Sequence, residues 1–376
     1  MPSRAPSILY VASVDRLAGA ETQLLYLARA MKGRGCEVGC AFIFGERGNL
    51  APFEDAGVEC DLYDGPLARR GARLGWLVRV MRRRRRDIVQ TLMFTPGVYG
   101  RLAAWWSGVP VVVASEHSWG GWKKRHYLLA DRLLAGITDL IVTNSEANHR
   151  FVTERVGIPR AKVILIRNGF ESRRFEDDRL SLHRAGVAAE LGLRPGERVV
   201  GTVGNLTPWK NHGLLLDAAA LLRARGVACR FLVAGGGPLA GAMRRYADAR
   251  GLGSAVSFLG PVPVVERVLS VMDVFVLSSS VEGMPTALLE AFASGLPCVV
   301  TDVGGNPEFV RNGETGFVVP PDDAEAMASR IEYLLCHRDE AAAMGRRGQA
   351  DVRRYTIEAM ADAYWAAYCR LRGEVS

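Results

Sequence analysis

Glu282-Gly-Met-Pro-Thr-Ala-Leu-Leu-Glu290, followed by Ala-Phe-Ala-Ser-Gly-Leu-Pro297, sets two carboxylates eight residues apart around the start of an apolar helix. Residues 274–278 ahead of it read as a buried strand, Pro285-Thr286 as a helix start, and Gly295 as the residue just past the helix end. The N–H groups over 283–287, a stretch that takes in Gly283, Met284, Pro285 and Thr286, are then first-turn donors aimed by the helix dipole at an anion such as a diphosphate. Carboxylates do not hold phosphates; they accept hydrogen bonds from sugar hydroxyls. Eight residues of helix span about 12 Å, close to the separation of the two sugars in a nucleotide-diphosphate sugar. The plainer reading of the pair is a capped, solvated helix end.

Further motifs follow in order: Ala18-Gly19-Ala20-Glu21, then Val203-Gly-Asn205-Leu-Thr-Pro-Trp-Lys210-Asn211, then Gly304-Gly305-Asn306-Pro307-Glu308. Together with the Glu282–Glu290 run they resemble the retaining glycosyltransferases of family 4, along nearly the whole chain. The resemblance implies the GT-B fold, an α/β architecture of two facing Rossmann-like domains, each a doubly wound parallel sheet, with a C-terminal helix returning to the first. It implies Glu282 near the donor hexose, Glu290 on the nucleotide ribose, and Lys210 at the donor diphosphate. Gly19, Asn205 and Val262 are counted with the donor-binding positions, and His117 with Lys210 and Glu282 as catalytic. Two departures stand out: the family usually has two adjacent glycines where this chain has Ala18-Gly19, and often an arginine where it has Asn205.

The chain of 376 residues is long for one hydrophobic core, and 49% hydrophobic with 23% charged residues is the composition of a globular protein. Arg101 interrupts the best apolar stretch, 98–114, so no run spans a bilayer. Residues 1–7 lack the pattern of a signal peptide, and a cytoplasmic location is expected. Seven cysteines without Cys-x-x-Cys spacing argue against a disulfide framework and a zinc site. Residues 1–170 hold 25 Lys+Arg and 15 Asp+Glu, a net +10, whereas the remainder holds 23 and 25; the whole excess of +8 lies in the first half. Its densest cluster is the arginine run 82–86, either a solvated helix end or a contact for an anionic membrane or acidic acceptor. Lys123, Lys124 and Arg125, with Trp105, Trp106, Trp119 and Trp122 nearby, point the same way. Nucleic acid is not expected as a partner, because aromatic residues do not interleave with the arginines.

Short β-branched runs alternate with helical periodicity, the pattern of parallel sheets with crossover helices. Strands are expected at 8–13, 37–44, 87–91, 109–115, 138–143 and 162–166, and in a second series at 198–203, 229–234, 256–259, 273–278, 298–301 and 315–319. Asn168-Gly169 marks the boundary, giving an acceptor-side domain over 1–168, a donor domain over 169–355 and a terminal helix segment over 356–376.

Gly19, between the first strand and a helix expected from about Thr22, would let the backbone approach a ligand. Gly235-Gly236-Gly237-Pro238 lacks dinucleotide-site spacing and reads as a turn. No Asp-x-Asp triplet is present to hold a divalent metal on the diphosphate, so the compensating cation is expected from the protein, and Lys210, one of only five lysines, can supply it. His117, in Ser115-Glu116-His117-Ser118 at a strand end, could meet the donor hexose through its carbonyl or neutral ring, with Glu116 as its orienting partner or on the acceptor. His212 reads as a helix-start residue, and Glu308 as a helix cap or a ligand contact.

The resemblance implies retaining transfer of a hexose-type unit from a nucleotide-diphosphate sugar with no dedicated protein base, and the lack of an Asp-x-Asp triplet adds the expectation that neither a metal nor another cofactor takes part. The expected acceptor is a lipid-linked glycan or glycolipid of surface polysaccharide assembly, met at the inner face of the cytoplasmic membrane. A GT-B epimerase or phosphorylase, or a sugar-nucleotide-binding protein without catalysis, is the alternative.

Overall fold

The computed structural model describes residues 5–15, 19–65, 70–117, 120, 123–175 and 177–374. The chain divides into two compact units, Met1–Gly169 with Tyr355–Ser376, and Phe170–Arg354. In the first, β1 (Ser7–Val14), α1 (Gly19–Gly33), β2 (Glu37–Gly45), α2 (Ala51–Asp55), β3 (Glu59–Leu62), α3 (Arg70–Arg84), β4 (Ile88–Leu92), α4 (Phe94–Trp106), β5 (Val111–Glu116), α5 (Arg125–Leu134), β6 (Leu140–Thr143), α6 (Glu146–Arg150) and β7 (Val163–Leu165) alternate along the chain. The second holds α7 (Asp177–Glu190), β8 (Val199–Val203), α8 (His212–Ala224), β9 (Arg230–Ala234), α9 (Ala240–Ala249), β10 (Val256–Gly260), α10 (Val265–Leu269), β11 (Val274–Leu277), α11 (Thr286–Ala293), β12 (Cys298–Thr301), α12 (Asn306–Phe309), β13 (Gly316–Val319), α13 (Ala324–Cys336) and α14 (Arg338–Val352). Helix α15 (Ile357–Leu371) returns to the first unit.

The first sheet has seven strands in the order β3-β2-β1-β4-β5-β6-β7, the second six in the order β10-β9-β8-β11-β12-β13. The pairings within both are parallel. Such strands are covered on both faces, which is why β4, β11 and β12 read as unbroken buried runs rather than alternating ones. The seventh strand of the first sheet, β3, was not expected. Its sequence Glu-Cys-Asp-Leu is half-exposed, and an edge strand carries too little apolar signal to stand out.

One face of the first sheet packs Tyr10 and Phe42 against Leu24 and Met31 of α1 and Tyr364 and Tyr368 of α15; the other packs Leu9 and Val11 against Leu77 of α3 and Ala103 of α4. Thr356 caps α15 through the Ala359 N–H, and Tyr368 donates to the buried Gln90. In the second unit, Leu215, Leu216 and Leu222 of α8 and Ile331 of α13 cover Val200, Val233 and Val276. Doubly wound sheets bind ligands at the carboxyl ends of their strands where the order reverses, here between β1 and β4 and between β8 and β11.

The basic cluster differs from its sequence reading. Arg86 is buried and pairs with Glu37 and Glu59, while Arg83 and Arg84 reach Asp61 at 2.8 Å, so the run 82–86 is in large part a clamp between α3 and the β2–β3 edge. Within it Arg82, Arg83 and Arg85 are exposed. Lys123 is buried too, and leaves the basic surface expected of it. Trp119, Trp122 and Ala18 lie outside the described residues.

Candidate active site

In the second unit the strand order reverses between β8 and β11, and the loops that leave those two strands carry Lys210 and Glu282. The Lys210 ammonium donates to Glu282 Oε1 at 2.5 Å, and Ser279 Oγ donates to the same oxygen at 2.6 Å. Glu282 is buried, and Lys210 half-buried. The loops are stitched along their backbones as well: Ser280 N–H to Trp209 O at 2.8 Å, and Ser278 Oγ to Lys210 O at 3.1 Å. Lys210 and Glu282 thus stand as one charge-compensated pair. Ser279 escaped the sequence reading, although the Ser278-Ser279-Ser280 run at a strand end was its visible signal.

Two glycine contacts hold these loops. Gly304, after β12, has φ +51°, and a Cβ there would lie 1.9 Å from Glu282 O. Gly235 has φ +147° with a Cβ 1.9 Å from Gly204 O. The triple glycine is therefore more than a turn: it lets the β9 loop pack directly on the loop that carries Asn205 and Lys210, with Leu206 N–H donating to Gly236 O at 2.8 Å. Asn205 is half-buried, and Val262 follows the edge strand β10.

Helix α11 begins at Thr286 with Pro285 as its N-cap, and its first return bond runs from Leu288 N–H to Pro285 O at 3.1 Å. Gly283 and Met284 precede the helix, so the eight-residue helical span expected between Glu282 and Glu290 is corrected: only its second half is helical. Glu290 lies half-buried on α11, its carboxyl pushed up to about 7 by burial, against the pull of Arg174 and with the repulsion of Glu266 added. Arg174 forks onto Glu266 at 3.1 and 2.5 Å. Neither residue stood out in the sequence, where Arg174 is one of many arginines in a polar stretch. Glu308 falls in the first turn of α12, and His212 is the buried first residue of α8, its imidazole pushed down to about 4 by burial and by Lys210.

In the first unit His117 directly follows β5. Its Nδ1 is buried without a hydrogen-bond partner among the described residues, and burial pushes its pKa down to about 4, so the ring is neutral. Its carbonyl accepts from Asn144 Nδ2 at 3.3 Å, and Asn144 Oδ1 accepts from Asn148 Nδ2 at 3.0 Å. Glu116 is held by Lys123, which also donates to Asp131 at 2.9 Å; Asp131 in turn accepts from Arg101 at 2.8 Å. This buried chain of four charges gives Glu116 a lysine partner in place of the orienting role toward His117. Gly19 opens α1, three residues earlier than expected. Gln23 of the same helix clasps the backbone of Gly169 at 2.7 and 3.0 Å.

Two parallel, doubly wound units, one carrying a lysine–carboxylate pair at its strand-order reversal, define a protein of the GT-B class. Crystal structures of Anabaena Alr3699/HepE agree: the complex with UDP and glucose superposes with a TM-score of 0.86 at 19% identity, over 97% of this chain and 100% of that one. Residues 187–351 match the model described as glycosyl transferases group 1, and residues 18–169 the glycosyl transferase 4-like domain. The chain belongs to the family 4 glycosyltransferases. It is similar to the D-inositol 3-phosphate glycosyltransferase of Nocardia farcinica (32% identity; 65% of this chain, 56% of that one). It is similar also to the UDP-Gal:alpha-D-GlcNAc-diphosphoundecaprenol alpha-1,3-galactosyltransferase of Escherichia coli (28%; 68% of each). Against EpsF of Bacillus subtilis, at 36% identity, and the Nocardia protein, the match spans little over half of the relative's length, 53% and 56%.

Proposed function

We propose that this protein transfers a hexose-type sugar from a nucleotide-diphosphate sugar to a hydroxyl of a lipid-linked glycan or glycolipid, with retention at the anomeric carbon and without a metal ion. The observation that carries the reading is the Lys210–Glu282 pair at the β8–β11 reversal, beside the N-terminus of α11. A diphosphate entering there competes with Glu282 for the ammonium. Lys210 then stabilises the charge that grows on the leaving group, while the freed carboxylate accepts from a sugar hydroxyl. Glu290, one helical turn into α11, takes the ribose hydroxyls. His117 meets the hexose as a neutral ring, a state its burial favours.

The relatives support both substrate classes: the Escherichia coli enzyme is named for a diphosphoundecaprenol acceptor, and the HepE crystals hold UDP and UDP-glucose, the donor side of such a transfer. An acceptor on a lipid carrier brings the protein to a membrane face, and the cytoplasmic one is where nucleotide sugars are expected. The attachment in this reading is peripheral; no helix of the described residues is long and apolar enough to cross a membrane.

The test is sugar transfer from UDP- and GDP-sugars, in excess chelator throughout, to a polyprenyl-diphosphate sugar by the wild type and by Lys210→Ala. Wild-type transfer with a retained anomer, and a fall of about a hundredfold or more in kcat for the variant with nucleotide binding largely kept, is expected. Full activity in folded Lys210→Ala, or transfer that stops in chelator and resumes with magnesium or manganese, overturns the assignment.

A further inference from the structure

Five large apolar side chains stand exposed among the described residues, and four of them lie on two neighbouring helices: Trp105 (65%) and Trp106 (62%) at the end of α4, Leu129 (58%) and Leu133 (70%) on α5. Single exposed apolar residues need no explanation, but four on adjacent helices do. Helices α4 and α5 run side by side in the same sense. Phe94 packs edge-on to Tyr127 at 4.9 Å near their starts, and Arg101 bonds Asp131 at 2.8 Å further along. Both helices end within about one turn of that pair, so the two tryptophans lie at the same end as Leu133.

The outward face of α5 has a distinct chemistry. Arg125, Leu129, Arg132 and Leu133 are exposed at spacings of four, three and one, which places them on one stripe. Lys124, just before the helix, is exposed with them. The single acid of α5, Asp131, points inward to Arg101 and Lys123, and α4 has no acid. Lys124, Arg125 and Arg132 have no ion-pair partner among the described residues. The next acid along the chain, Asp139, is engaged by the Val112 N–H at 2.7 Å. Moreover Lys124 and Arg125 sit at the positive end of the helix dipole, where cations cost stability and acids are the favourable choice.

We infer that the α4–α5 face is the surface by which this protein lies on an anionic lipid bilayer, with Trp105, Trp106, Leu129 and Leu133 entering the interface and Lys124, Arg125 and Arg132 meeting the phosphates. Tryptophan and leucine on a helix edged by basic residues is the chemistry of an in-plane interfacial contact, and it distinguishes a lipid surface from an acidic protein partner, which would not call for exposed indoles at the rim. The inference rests on the lipid-linked acceptor proposed above, and it moves the contact away from the arginine run 82–86, whose members Arg83, Arg84 and Arg86 are held by Glu37, Glu59 and Asp61.

The experiment measures flotation of the full chain with phosphatidylcholine vesicles, with and without 30% phosphatidylglycerol, at low and high salt, with light scattering of the free protein. Three variants are compared with wild type: Trp105→Ser/Trp106→Ser/Leu129→Gln/Leu133→Gln, Lys124→Gln/Arg125→Gln/Arg132→Gln, and Arg79→Gln/Arg82→Gln/Arg85→Gln. All ten positions are exposed, so the variants keep the cores intact. Wild type is expected to bind the anionic vesicles in a salt-dependent way, the basic triple variant to lose about a hundredfold and the apolar variant tenfold or more, and the control less than about fivefold. Undiminished binding by either of the first two, a loss confined to the control, or a wild-type dimer that the apolar variant dissolves overturns the inference. If wild type transfers sugar yet ignores the vesicles, the surface alone fails; if it binds them but turns over no nucleotide sugar, the transferase reading alone fails.

Discussion

Glu290→Gln isolates one titrating group in the candidate active site. The Glu290 carboxyl rises from an ordinary 4.5 to about 7 because burial and Glu266 outweigh the attraction of Arg174. A carboxyl whose folded value is raised contributes stability that is complete below about 4.5 and lost as pH rises through about 7, since above that the folded state must hold a poorly solvated anion. At about 1.4 kcal/mol per pH unit the loss has an upper bound of about 3 kcal/mol by pH 8, reduced by the water that reaches a half-buried group. Glutamine keeps the shape and removes the charge. Thermal unfolding of the unliganded protein should therefore show Glu290→Gln more stable than wild type at pH 8 by several degrees, with the difference gone near pH 4.5. Nucleoside diphosphate reverses the balance. Ribose hydroxyls donating to Glu290 favour its anion, so wild-type affinity should rise with pH through 7 and that of Glu290→Gln should stay flat. A variant no more stable than wild type at pH 8 would refute the burial argument, and a pH-independent wild-type affinity would refute the ribose contact.

Two further substitutions probe the framework. Lys123→Met leaves Glu116 and Asp131 without their shared cation in the interior; chemical denaturation should show a loss of about 3–5 kcal/mol at pH 7, partly regained at pH 5 as Glu116, already raised by burial, takes a proton. A loss under about 1 kcal/mol would mean that water reaches these carboxylates. Gly304→Ala drives a methyl into Glu282 O in a left-handed backbone position, and should destabilise the protein by about 3 kcal/mol or more and weaken nucleotide binding together. Near-normal binding would show that the β12 loop can retreat without moving Glu282.

Much of the architecture was legible in the chain itself. A strand covered on both faces must be apolar along its whole length, so Val274–Leu277 and Cys298–Thr301 announce themselves, and a residue such as Lys210 or Glu282 just after such a run lies at a strand's carboxyl end. What the alternation does not carry is which strands are neighbours, since every buried parallel strand reads alike. Only the order β9-β8-β11-β12 brings Lys210 and Glu282, 72 residues apart, into contact at 2.5 Å. Charge partners follow the same rule. Arg86 looks like a surface cation in sequence, yet folding buries it, because Glu37 and Glu59, 49 and 27 residues back along the chain, lie on neighbouring strands beside it; Lys123 is buried between the nearer Glu116 and Asp131, which only the fold brings together from the end of β5 and from α5. Trp105 and Trp106 drew notice in the sequence as aromatics near basic residues, but their exposure was not written there: the turns that bury Ala103 and Ala104 against the sheet leave them outside. Periodicity is a local property and survives in the sequence; the sharing of a charge or the covering of an indole depends on segments far along the chain, and tertiary structure alone decides it.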